Sequence, residues 1–390
     1  MKLYPLASLL VLTMWGPAFG LAPVSHPGNA PEYSIEQNVL KGKHVIFLGS
    51  SVTLGMTSQE CSFADFLSWK TGLTFQKEAV SGTTLVDSGP DSYVARMKKL
   101  NACNKVDLFI CQLSTNDAGK NHPLGSISSG YELSFFNTAT IAGSLEYIIA
   151  YAKQAWNCPV AFYTSPFFEH KKYADMVRLL WELQAKWGVH VIDLYYDKSF
   201  NEITEAQRNL YMFDAIHPTK AGYMLWWMPK FEKELRKIFS GSVSGNPFVV
   251  KPGEEMSFSS GGTGLPLLHS GWSHPEHWGT WSNADKAQLV FYLDETLPSH
   301  IEMDLNVLLS GEHKQQRMRP ILNGVALQEI VLRNNQELIS LDISKAVKQG
   351  RNHLVIELPD VISPKKLGIN SDARMLAIGL KSLCFVKQVQ

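Results

Sequence analysis

Residues 44–53 read HVIFLGSSVT, an apolar run that stops abruptly at Gly49 and two adjacent hydroxyls, Ser50 and Ser51. Further along stand SGTT (81–84), STND (114–117) and FDAIHP (213–218), in which Asp214 precedes His217 by three residues. Ester cleavage needs these residue types together. A serine hydroxyl is a poor nucleophile until a base takes its proton during attack. Histidine suits that task because its ordinary pKa lies near working pH. A carboxylate orients the imidazole and stabilises its protonated form. The oxyanion that forms needs preorganised donors, for which a glycine N–H and an asparagine amide add neither bulk nor charge. Singly, each cluster reads as well as a turn or a helix cap.

The surrounding pattern shows what could bring them together. From residue 43 to about 239, short apolar runs (KHVIFLG, FQKEAV, VDLFICQLS, PVAFYTS, VHVIDL) alternate with helical ones (FADFLSWK, SYVARMKKL, TIAGSLEYIIAYAKQAW, YADMVRLLWELQAKW, AGYMLWWMPKFEKELRKIF). Continuous apolar strands between helices predict a parallel sheet covered on both faces, an α/β doubly wound fold. Ligands of such sheets sit beyond the carboxyl ends of the strands, which is where the polar clusters fall. Past residue 240 helical periodicity nearly vanishes. Short strands separated by Gly, Pro and Asn, with Asn323-Gly324 marking a hairpin, predict an all-β sandwich. Only ISLDISKAVKQG hints at a helical turn there. The expected division is 35–240, a linker 241–248 and a β-sandwich over 249–390.

The blocks GSSVT, SGTT, STND and DAIHP resemble, in order and context, those of the SGNH or GDSL-like hydrolases, over residues 43 to about 239. The resemblance implies a flavodoxin-like three-layer α/β/α sandwich. It implies Ser51 as nucleophile, His217 as general base and Asp214 as its orienting carboxylate. Ser51 N–H, Gly82 N–H and the Asn116 amide would form the oxyanion hole, and no cofactor is expected. Two departures stand out. Ser50 occupies the place of the aspartate that usually precedes the nucleophile, and Ser114 that of a glycine.

Substrate signals are sparser. The irregular stretch 118–137 follows the third strand and is expected to border the site. Phe167, Phe168 and His170 could line an acyl or sugar pocket. In the second half Trp272, Trp278 and Trp281 could stack on sugars or serve as sandwich core. His274-Pro275-Glu276-His277 holds two imidazoles and a carboxylate, but the proline argues against a helical ligand pair and favours a polar loop. A small acyl group such as acetyl, on a polysaccharide or surface glycan, is the expected substrate. A lipase, lysophospholipase or thioesterase, a glycan acyltransferase, and a non-catalytic carbohydrate-binding protein are the rivals.

Lys2, the apolar run LYPLASLLVLTMW and the small residues AFG (18–20) have the layout of an export signal over residues 1–20. The run is short of the roughly 20 apolar residues of a membrane span. A secreted or periplasmic protein is expected, with surface anchoring as the alternative. An acylated carbohydrate or other small ester would be the partner. The 36 basic and 36 acidic residues cancel, so bulk charge favours neither nucleic acid nor an anionic membrane. Five cysteines leave disulfides open, Cys61 with Cys103 among the pairings.

Overall fold

Side chains on successive strand residues point to opposite faces, so a strand buried on both sides must be apolar throughout. The first strands come close to that demand, except the half-buried edge strand TFQKEA. In the computed structural model, which describes residues 38–242, 245–294 and 296–387, they are β1 (His44–Gly49), β2 (Thr74–Ala79), β3 (Leu108–Gln112), β4 (Val160–Tyr163) and β5 (His190–Ile192). The expected signal segment 1–20 lies outside the described residues. All strand pairs in this sheet are parallel and the order is β2-β1-β3-β4-β5, the flavodoxin-like arrangement. Val45, Phe47, Leu108, Ile110, Ala161 and Tyr163 pack with helices Phe63–Thr71 and Met228–Phe239. Their neighbours Ile46, Leu48, Phe109, Cys111, Val160 and Phe162 pack with Tyr93–Met97, Ile141–Trp156 and Lys171–Trp187 on the other face. The alternation read from the sequence is therefore a three-layer sandwich.

The helix ends are written in local chemistry. Ser62 forms a capping box with Asp65, Thr140 caps Ile141–Trp156, and Gly72 and Gly188 end their helices in the left-handed region. One expected helix differs. The run 220–239 is α-helical at Lys220–Gly222, a π-turn at Tyr223–Trp227 and α-helical again at Met228–Phe239. Pro229 explains the interruption: it lacks an N–H, and its ring would clash with the carbonyl of an α-helical Leu225. The wider turn, closed by Met228 N–H donating to Tyr223 O, relieves that clash.

Beyond residue 250 the chain forms two antiparallel sheets. One orders Gln336–Asp342, His300–Val307, Ile378–Val386 and Glu255–Ser257; the other orders Val325–Ala326, Gln316–Leu322, Gly350–Glu357, Lys286–Leu293 and Leu268–Ser270. Asn323 and Gly324 both have positive φ, 52° and 85°, as a two-residue hairpin turn of the primed type requires. The hint of helix in ISLDISKAVKQG is corrected for its first half. Ile339 and Leu341 are buried while Leu338, Ser340 and Asp342 are exposed, a period of two that belongs to a strand.

Phe248, in the stretch expected as a linker, is fully buried and meets Tyr196 edge-on at 5.9 Å. Its carbonyl accepts from Tyr292 N–H. The Arg178 guanidinium lies against the same ring and donates to Leu268 O and to His269 Nδ1, the latter at 2.9 Å. Residues Val39–Gln390 accordingly form one packed unit. All five cysteines are free thiols, so the Cys61–Cys103 pairing is not made. No helix among the described residues is long and apolar enough to cross a membrane.

Candidate active site

β1 ends in a turn that only glycine can make. A Cβ on Gly49 would lie 1.7 Å from Thr53 Oγ1. Ser50, buried, donates its N–H to Gln112 Oε1 at 2.9 Å, and Thr53 Oγ1 donates to the same oxygen at 2.8 Å. This pins the short helix Ser51–Leu54 to the end of β3. Ser51 thus leads a helix whose first N–H groups have no intrahelical acceptor.

Ser51 Oγ lies 2.8 Å from His217 Nε2. His217 Nδ1 lies 2.8 Å from Asp214 Oδ2 and 3.0 Å from Oδ1. A carboxylate against Nδ1 keeps the ring proton there, which leaves Nε2 free to accept from the serine. Partial burial pushes the Asp214 carboxyl up, but hydrogen bonds from the His217 ring and from the His217 and Ile216 N–H groups outweigh it and hold its pKa below the usual value. The loop of His217 is tied to the segment that follows β1 in two places. Thr57 Oγ1 donates to Pro218 O at 2.7 Å, and the buried Tyr223 hydroxyl donates to Val52 O at 2.8 Å. The close approach of Gly222 to Tyr211 O, 2.1 Å from where its Cβ would be, tightens the same loop.

Gly82 is exposed at φ +77°, and Lys120 Nζ donates to its carbonyl at 3.0 Å. Asn116 Nδ2 donates to Thr83 O at 2.9 Å, which leaves its second amide hydrogen for a ligand. Asp117, fully buried, accepts from Leu85 N–H (2.7 Å) and Val86 N–H (3.1 Å) and pairs with His122. Buried Arg96 donates to Gly49 O at 2.7 Å, to Thr83 Oγ1 at 3.1 Å and to the carbonyls of Glu78 and Asp91. It thereby fixes the end of β1 against the loop that carries Gly82. The sequence reading passed over Gln112, Arg96, Thr57 and Tyr223, and gave Asp117 no role beyond its block. A signal existed for Arg96, a lone cation in the apolar helical run YVARM. Both departures noted above are also resolved. Gln112 anchors the turn at Ser50, and Ser114 caps Thr115–Gly119 by accepting from Asp117 N–H.

The other candidates scatter. Phe167 stands exposed on the loop after β4, whereas Phe168 packs on Tyr173 and Tyr195. His170 caps Lys171–Trp187 instead of facing a pocket. Trp272 donates to Gln288 O and packs against the core. Trp278 and Trp281 meet edge to face at 73°, with centroids 5.2 Å apart. His274 faces Glu169, and Glu276 takes Trp278 Nε1 and Arg374. Among the described residues no group of three or more His, Cys, Asp or Glu could hold a metal. The stretch 118–137 meets the candidate site near its start, where Lys120 Nζ donates to Gly82 O, and Phe136 near its other end packs on Trp187. Ser128 and Gly130 accept from Lys186 near the far end of Lys171–Trp187, so the middle of the stretch lies at the opposite edge of the sheet.

Residues 47–225 match the family model for GDSL-like lipases and acylhydrolases. This part of the chain is a GDSL-like domain. The chain is accordingly an esterase/lipase-type hydrolase, and residues 256–387 match a domain of unknown function, DUF7024. The GDSL-like domain is similar to several solved structures. A protein named as a GDSL-like lipase from Bacteroides ovatus is 16% identical, with TM-score 0.39, covering 50% of this chain and 99% of its own. One named as an SGNH hydrolase from Slackia heliotrinireducens is 18% identical, with TM-score 0.37, covering 50% and 100%. A protein from Lactobacillus plantarum is 19% identical, with TM-score 0.43, covering 52% and 98%. No curated protein matches the sequence.

Proposed function

We propose that this chain is an exported esterase that removes O-acetyl groups from a polysaccharide or surface glycan through an acyl-enzyme on Ser51. The observation that carries the catalytic part is the unbroken relay Ser51 Oγ–His217–Asp214, with both links at 2.8 Å. Ser51 Oγ attacks the acyl carbon as His217 Nε2 takes its proton. The carbon–oxygen bond to the alcohol breaks, and the alcohol leaves with that proton. Water then gives a proton to Nε2 and attacks the acyl carbon, and Ser51 regains the proton as the carboxylic acid departs. Ser51 N–H, Gly82 N–H and the remaining Asn116 hydrogen stabilise the oxyanion. The carboxylate form of Asp214, favoured by its three donors, stabilises the imidazolium.

A short acyl group is favoured because Ser51 is only 5% exposed and the loops beside it are pinned at many points. Phe167, exposed at the same end of the sheet, borders the substrate in this reading. The apolar run and small residues of 1–20 support export. One observation favours a second reading, a lipase or thioesterase for longer chains: Phe213, 70% exposed, adjoins Asp214, with Met56 and Leu210 also exposed on the histidine side. A series of aryl esters from acetate to decanoate separates the two, beside acetate release from acetylated glycans. The expected kcat/KM is highest at acetate and falls at least 10³-fold, roughly, in Ser51→Ala and His217→Ala. A maximum at eight carbons or more would overturn the acetyl reading, and undiminished hydrolysis in Ser51→Ala the catalytic one.

A further inference from the structure

A hollow of about 500 Å³ opens at the edge of the parallel sheet opposite the triad, lined by Tyr131, Glu132, Ser134, Lys153, Gln154 and Trp187 among others. Its position follows from the topology. Helices in a parallel sheet run back against the strands, so Lys153 and Gln154, at the end of Ile141–Trp156, and Trp187, at the end of Lys171–Trp187, lie beside the amino ends of β4 and β5. The triad sits at the carboxyl ends.

The hollow is built on a rigid support. Glu146 is fully buried and accepts from Lys186 Nζ (2.6 Å), Trp187 Nε1 (3.1 Å) and Ser128 N–H (2.7 Å). Lys186 also donates to Ser128 O and Gly130 O, and its ammonium lies 4.7 Å from the centre of the Tyr131 ring and 5.1 Å from that of Trp187. The two rings are held at 69° with centroids 4.9 Å apart, forming an aromatic corner. Tyr131 is nonetheless 58% exposed. Holding a large ring out to water on so fixed a base leaves it ready to meet a ligand at little cost in side-chain entropy.

The lining selects the chemistry. Glu132 and Lys153 offset one another, so neither an anion nor a cation is favoured. The aliphatic lining is only Leu133 and Ala150, too little for an acyl chain. An aromatic corner with an amide (Gln154), a hydroxyl (Ser134) and one charge of each sign suits a sugar, whose apolar face packs on a ring while its hydroxyls bond the rim. We propose that this hollow is a carbohydrate-binding site, separate from the catalytic centre, that holds a polysaccharide chain against the enzyme.

The test uses the full chain carrying Ser51→Ala, so that binding is read without hydrolysis and independently of the esterase reading. Native gels containing xylan, galactomannan, alginate or hydroxyethylcellulose measure retardation, and melting curves verify folding. The expected result is retardation by at least one polysaccharide, weakened tenfold or more by Tyr131→Ala. The same substitution on the active enzyme should leave short aryl-ester kcat/KM within about twofold. Since Lys186 keeps Glu146 and its carbonyl partners without the tyrosine ring, the variant should fold, and Gln154→Ala, exposed, gives a second weakened variant. Retardation by none of the four, or retardation that Tyr131→Ala leaves unchanged, overturns the proposal.

Discussion

Asn116 and Gly82 carry the most informative single-residue predictions, because their proposed roles differ from what their packing alone would reward. Asn116→Ala removes an amide whose one visible bond is to Thr83 O. A structural role would cost about 1 kcal/mol of stability. An oxyanion role would cost about 3 kcal/mol in the transition state, about 10²-fold in kcat, with KM little changed. We expect the second pattern in steady-state kinetics. At Gly82 a methyl group meets nothing within 4 Å, but φ is +77°. Gly82→Ala should therefore cost about 1 kcal/mol through the backbone alone. If its N–H faces the oxyanion, kcat should fall more than that stability loss accounts for.

Between elements, Arg96 is the joint that matters most. One buried guanidinium satisfies carbonyls of β1, β2 and the segment before its own helix, and holds Thr83. Arg96→Met keeps the volume but strips those acceptors of their donor. The expected cost is about 3 kcal/mol, read by urea unfolding, with a drop in kcat as the Gly82 loop loosens. The π-turn at Tyr223–Trp227 works at the same scale. It absorbs Pro229 while keeping Tyr223 on Val52 O and Trp227 in the core, so the histidine loop enters a firm helix.

Across the whole molecule, the burial of His269 beside Arg178 makes stability depend on pH. Burial and the adjacent guanidinium push the His269 pKa down to about 4, whereas an unfolded histidine titrates near about 6.5. As pH falls, the unfolded chain takes the proton first. The stabilisation is therefore complete above about pH 6.5, declines between those values and is exhausted below about pH 4. Discounted for solvent screening at this partly exposed site, the full difference is on the order of 2 kcal/mol. His269→Gln, which retains an acceptor for Arg178, should flatten the dependence of the unfolding midpoint between pH 7 and pH 5. An unchanged slope would show that other groups set the acid sensitivity.

Much of the site was legible because its chemistry is local. Strands ended in glycine and hydroxyls, Asp214 lay three residues from His217, and alternating apolar runs announced a parallel sheet with strand ends on one edge. Missing from that reading were the residues whose partners are distant in sequence. Gln112 sits 62 residues from Ser50, and Arg96 sits 47 from Gly49. Such polar groups look ordinary until folding buries them and forces each to find a partner. The same held for the irregular stretch 118–137. Sequence order placed it after the third strand, but the bond from Lys186 to its middle carried it to the far edge. Residue types and their periodicity thus determined the fold class and, through the resemblance of the four blocks, nominated the groups proposed to react. Tertiary structure alone decided which side chains support them, because long-range hydrogen bonds leave no periodic trace in the chain.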